Sequence, residues 1–213
     1  MTKIKIASNN GNLPASEPKI KGEKTKSKSR LTYSLLIGLL SLLVVSPAFA
    51  NHAYSGYKWN YDDPAYHIDS SLYNLNMYDG SNEATVVNTG VAKWNGFSDF
   101  YLHVQSGSWG WFGAADLDPG IMGLTSIYVY PFTNIIYSSE TRFNTDYRWA
   151  NYDGYWLNPP AYNLGWVATH EAGHWVALND LADSSSVMYY AYSSAAYAPD
   201  GHSIETVKSL YGG

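Results

Sequence analysis

Two histidines four residues apart, His170 and His174, enclose Glu171, which follows the first of them directly. On an α-helix that spacing sets both imidazoles on one side, a turn apart, so both rings can aim a nitrogen at a single ion. Zn²⁺ takes neutral imidazole nitrogens at about 2.0–2.1 Å, and a catalytic zinc has three protein ligands with the fourth position left to water. Glu171 flanks both rings and is in reach of that water's proton. The His-Glu-x-x-His pattern therefore points to metal-assisted hydrolysis. Its plain alternative is a surface helix carrying two solvated histidines and a charge.

The elements that must position this stretch begin only after residue 50. Eight Lys and Arg fall in the first thirty residues (Lys3, Lys5, Lys19, Lys21, Lys24, Lys26, Lys28, Arg30) against Glu17 and Glu23. A mostly apolar run, Leu31 to Val45, follows and closes on Ser46-Pro47-Ala48-Phe49-Ala50. A basic segment, a short apolar segment and an Ala-x-Ala ending are the parts of a secretory signal peptide, so residues 1–50 read as a leader cleaved after Ala50. The run is shorter than the roughly 20 apolar residues a permanent span needs. An uncleaved anchor through residues 31–45 is the alternative, and in either case residues 51–213 are expected outside the cell.

Those residues number 213 − 50 = 163, enough for one domain with its own core. Five Lys and Arg face sixteen Asp and Glu there, a net charge of 5 − 16 = −11. Such a surface disfavours phosphate backbones, which excludes nucleic acid as an expected partner. Cysteine is absent, so no thiolate serves as nucleophile, zinc ligand or latch. The chain holds 8 Trp and 20 Tyr, read mainly as core and half-buried packing with the Tyr hydroxyls partnered. Nothing in the pattern calls for a second copy, and a monomer is expected.

Coarse periodicity gives the order of elements. Tyr66-His67-Ile68-Asp69 alternates as a first strand, and Glu83 to Trp94 repeats Ala84, Val87, Val91 and Trp94 at helical spacing. Phe100 to Val104 reads as a strand, residues 106–120 as a Gly-, Trp- and Asp-rich loop, and Ile121 to Tyr130 and Ile135 to Phe143 as strands. Residues 144–163 look irregular. Asn163 can cap a helix from about Leu164 to Ala177, whose second half carries the histidines, and a last helix is expected from about Ser203 to Tyr211. In the loop, Asp116 and Asp118 alternate ahead of Gly120, a pattern that suits calcium as a second ion. His52, His67, His103 and His202 have no ligand spacing among themselves.

Taken together, the residues resemble the metzincin metallopeptidases, in their matrixin-like branch, whose zinc motif is His-Glu-x-x-His-x-x-Gly-x-x-His or Asp followed by a Met-containing turn. His170, Glu171 and His174 match that motif, Asp180 stands where the third ligand belongs, and Met188 follows eight residues later. Looser matches run from Tyr57-Lys58-Trp59 to Leu210-Tyr211-Gly212, so the resemblance covers most of residues 55–213. It implies an α+β fold: a small, twisted, mostly parallel sheet, a first amphipathic helix, a zinc-site helix, a Met turn and a C-terminal helix. It also implies a secreted zinc endopeptidase acting on proteins or peptides, with Glu171 as general base and Met188 as packing beneath the metal; Tyr190 stands where astacin-like members carry a Tyr near the zinc or the developing oxyanion and matrixins usually have Pro, its alternative being a Tyr of the substrate-pocket wall.

One departure stands out. The family's turn glycine is Ala177 here, and a left-handed conformation is disfavoured for any residue with a Cβ. Either Asn179 takes part of the turn, or the helix ends differently and Asp183 supplies the oxygen in place of Asp180. The rival functional reading is an exported, aromatic-rich binding module with a structural zinc.

Overall fold

A computed structural model describes residues 5–7, 54–154, 156–193 and 197–213. The apolar run and the leader's cleavage point lie outside the described residues. Contacts divide the chain into one unit of residues 1–9 with 52–213 and another of residues 10–51. Among the described residues, no helix is long and apolar enough to cross a membrane.

The main sheet has the order β1 (Lys5–Ala7), β7 (Gly123–Val129), β8 (Ile135–Asn144), β6 (Gly110–Ala115), β3 (Ala65–Ile68) and β5 (His103–Val104), with β2 (Lys58–Trp59) also on β8. All these pairings are parallel except β7 with β8. A smaller parallel sheet joins β10 (Tyr162–Asn163), β9 (Arg148–Ala150) and β4 (Asn76–Met77). Among the described residues three α-helices join the sheets: α1 (Glu83–Ala92), α2 (Leu164–Trp175) and α3 (Gly201–Tyr211). The fold is α+β around a small, mostly parallel sheet, as expected.

The expected loop over residues 106–120 is wrong: β6 runs through it and pairs on both edges, with β3 and with β8. Its glycines were misleading because they serve packing, not turning. A Cβ on Gly110 would stand 2.6 Å from the Trp175 ring, and one on Gly113 2.6 Å from Ser71 Oγ. The stretch 144–163, expected to be irregular, likewise contributes the short strands β9 and β10. By contrast the strand expected from Phe100 is ordered as β only at His103–Val104.

Helix α2 starts where Asn163 accepts a hydrogen bond from the Trp166 N–H at 3.0 Å, a side-chain cap for one of the first turn's unpaired donors. Every residue from Trp166 to Trp175 is buried, so the helix is a core element with no solvated face. On one side α1 crosses it closely at Gly90, where a Cβ would meet the Gly165 carbonyl at 2.7 Å. Trp94 then donates its indole N–H to the Thr169 carbonyl at 2.7 Å. On the other side Trp175 stacks on Phe112 of β6, ring centroids 4.8 Å apart. Held between α1 and the sheet, α2 fixes its imidazoles with little freedom to move.

Candidate metal centre

The helix that carries the histidines ends in a sharp turn. Val176 is the last capping residue, the Ala177 N–H donates to the His174 carbonyl, and the Leu178 N–H donates to the Gly173 carbonyl. This pair of bonds is the Schellman motif, which requires a left-handed residue at the position of Ala177. Ala177 adopts it, with φ 72°, and Asn179 takes no positive φ. A Cβ in that conformation costs roughly 1–2 kcal/mol. The methyl group is fully buried in the core, and burial at about 0.8 kcal/mol per carbon offsets much of that cost. Alanine is thus the largest side chain the turn accepts readily. Ala177→Val, β-branched at positive φ in a filled core, is expected to destabilise the domain by about 3 kcal/mol. That corresponds to a thermal midpoint lower by roughly 6–12 °C, and an unchanged midpoint would contradict the left-handed assignment.

Beyond the turn, Asp180 comes back over the helix. Its Oδ1 lies 3.1 Å from His170 Nε2 and 3.5 Å from His174 Nε2. Among the described residues these three are the one group of candidate ligand atoms that lie together, all within 4.8 Å. Two ligands at zinc bond lengths of 2.0–2.2 Å in a tetrahedral set are about 3.3–3.6 Å apart, so the spacing suits that ion. The donors are also in the correct protonation state. Each histidine's Nδ1 sits 2.7 Å from a backbone carbonyl, Val187 for His170 and Leu178 for His174. A carbonyl only accepts, so Nδ1 carries the proton and Nε2 is left to face the group.

The electrostatics agree with an ion's place. His174 Nε2 is buried without a hydrogen-bond partner, an orphaned lone pair of the kind a metal satisfies. Burial and the neighbouring His170 push the His174 pKa down to about 4, keeping that ring neutral. For His170 burial also acts downward, but the Asp180 hydrogen bond and the charges of Glu171 and Asp180 together raise its pKa.

Glu171 is fully buried and held from the sheet. Thr125 Oγ1 of β7 donates to Glu171 Oε2 at 2.7 Å, Thr125 and Thr141 hydroxyls lie 2.7 Å apart, and the Trp175 indole N–H donates to Thr141 Oγ1 at 2.9 Å. Because Thr125 gives its one hydroxyl proton to the carboxylate, it accepts from Thr141, and the chain has one sense, Trp175 to Thr141 to Thr125 to the carboxylate. Gly123 makes room for it: a Cβ there would stand 2.4 Å from Glu171 Oε1. Sequence reasoning missed Gly123, Thr125, Thr141 and the polar role of Trp175. The alternation of β7 and β8 was the available signal, since it puts Thr125 and Thr141 opposite each other.

Met188 is fully buried under the site helix, and a Cβ on Gly173 would come within 2.1 Å of its sulfur. Gly173 is therefore the notch that seats Met188, and the same turn supplies the Val187 carbonyl to His170. Asp183 is not brought to the group; it is exposed and accepts from the Ser185 N–H and hydroxyl. Tyr190 is 40% exposed and packs its ring on Tyr189 at 4.7 Å. Asp116 and Asp118 are exposed and belong to no group of three candidate ligands among the described residues. Asn144 closes their loop instead, donating to the Ile121 carbonyl at 2.8 Å and the Leu117 carbonyl at 3.3 Å. Of the other histidines, His67 Nδ1 meets the Ser108 carbonyl at 3.1 Å, His103 stacks on Tyr101, and His52 lies outside the described residues.

A mostly parallel sheet with a buried helix presenting two imidazoles and a glutamate to an aspartate defines a metallopeptidase-like centre. The family model Peptidase_M10, Matrixin, matches residues 123–212, from the start of β7 through α3. Over that span, which contains the whole group, the chain is similar to the matrixin metallopeptidases. No curated protein matches it.

Proposed function

We propose that this protein is a secreted zinc-dependent endopeptidase, residues 51–213 being the catalytic domain and residues 1–50 a leader removed after Ala50. The observation that carries the reading is the meeting of His170 Nε2, His174 Nε2 and one Asp180 oxygen on the flank of Glu171, with Asp180 at 3.1 and 3.5 Å from the two rings. These three residues hold the ion and leave a fourth position for water. When bound, zinc supplies positive charge that brings the pKa of water toward about 7 and polarises a carbonyl.

Glu171 takes the water's proton as the oxygen attacks the peptide carbon, then returns it to the leaving amine as the C–N bond breaks. Thr125 holds the carboxylate toward that task, and the buried setting excludes competing solvent around it. Met188, a poor zinc donor, shapes the floor on which the two imidazoles rest. Tyr190, two residues after Met188, is the candidate to meet the developing oxyanion. Calcium has no part in this reading.

Mass-spectrometric mapping of the products from a denatured protein substrate tests it. Internal fragments with new amino and carboxyl termini are expected. Release of single terminal residues alone would exclude an endopeptidase.

A further inference from the structure

A cleft of about 310 Å³ opens where the parallel strands of the main sheet begin. Its walls come from the starts of β3, β6 and β8, whereas Glu171 lies against Gly123, which pairs with Phe143 near the end of β8. Trp59 forms the floor and is itself tied down, its indole donating to the Trp175 carbonyl at 2.7 Å. Around that floor stand three rings open to solvent: Trp109 is 84% exposed, Tyr61 41% and Tyr137 37%. An indole so open to water, over a formed cleft, marks a binding surface more than packing.

What lies between the rings identifies the ligand. Asp63, Gln105 and Ser108 line the cleft, and Ala65 is the one aliphatic residue in it. Protein-docking cores are enriched in aromatic residues, which this cleft has, but also in Arg and Met, which it lacks, and they are depleted in the Asp and Ser that line it. No Lys or Arg lines it either, and a domain of net charge 5 − 16 = −11 repels phosphate, sulfate and uronate groups. Flat rings alternating with a carboxylate, an amide and a hydroxyl match a pyranose, which has apolar C–H faces above and below and a rim of hydroxyls that donate and accept. We infer that this cleft is a binding site for a neutral oligosaccharide, with Trp109 as the stacking platform, Tyr61 and Tyr137 as flanking rings, and Asp63, Gln105 and Ser108 reading the hydroxyls. Occupied, it would tether the catalytic domain to a polysaccharide while the metal group acts on protein, a role that rests on the peptidase reading.

Calorimetry of the full chain against cellohexaose and chitohexaose tests this, with Trp109→Ala and Tyr137→Ala as variants and circular dichroism as the check that both fold. The expected result is saturable binding of at least one hexasaccharide, weakened roughly tenfold or more in each variant, a loss of about 1.4 kcal/mol or more. Absence of heat with both sugars, or equal affinity in both variants, would overturn it. So would a Trp109→Ala protein that loses affinity for a protein substrate while the parent binds neither sugar, since the cleft would then be a peptide subsite. Binding is read without turnover, so failure of the peptidase reading leaves this result unaffected.

Discussion

Glu171→Gln is expected to cut turnover of a denatured protein by about 10²–10⁴-fold while zinc content stays at the parent level. The amide preserves the shape of the side chain and removes its basicity, so the loss reports proton transfer and not metal binding. Thr125→Val is expected to give a partial version of the same effect. A hydrogen bond to a charged group contributes about 1.5–3 kcal/mol, which sets a loss of roughly 10–100-fold in kcat with little change in KM. Steady-state kinetics with metal analysis on the same samples checks both. Full activity in Glu171→Gln would refute the assignment of the base. Loss of zinc in that variant would show instead that Glu171 holds the metal.

Asp180→Ala is expected to remove the ion, and with it nearly all activity, because two imidazoles alone leave the three-ligand set incomplete. Asp183→Ala is the internal control. Its carboxylate caps a turn by accepting from the Ser185 backbone N–H at 2.9 Å, so its loss is expected to cost a little stability and no metal. Zinc stoichiometry after dialysis at neutral pH separates the two positions. Parent-level zinc in Asp180→Ala together with depletion in Asp183→Ala would reverse the ligand assignment.

The site helix was readable in the sequence because everything that defines it is local. Asn163 caps it, the run to Trp175 has no breaker strong enough to end it, and His170, Glu171 and His174 lie within two turns. The choice between Asp180 and Asp183 was not readable, because it depends on whether an alanine accepts a left-handed conformation. Ala177 does so because its methyl is buried, a tertiary fact. The support of Glu171 was equally hidden. Thr125 is 46 residues from Glu171 and Thr141 is 34 from Trp175, and only the pairing of β7 with β8 brings the two threonines together.

Glycine marked helix ends and turns correctly at Gly96, Gly107, Gly120 and Gly212, all at positive φ, and misled inside β6. Gly110 and Gly113 resemble loop punctuation, yet both lie within a strand paired on each side, where Trp175 and Ser71 occupy the space a Cβ would need. Gly173 looked like an unmarked position inside the motif and proves to be the seat of Met188. The abundant aromatics were read mainly as core and half-buried packing, which holds for Trp59, Trp94, Trp149 and Trp175 but not for Trp109 or Trp156. Of those two, Trp109 lines the cleft.

The most direct test of the central claim is proteolysis of a denatured protein by the purified chain before chelation, after removal of metal, and after stoichiometric zinc is returned. Activity that disappears with the chelator and comes back with zinc, in the parent and not in Asp180→Ala, is the predicted result. Cleavage that persists in a verified zinc-free protein would contradict the account.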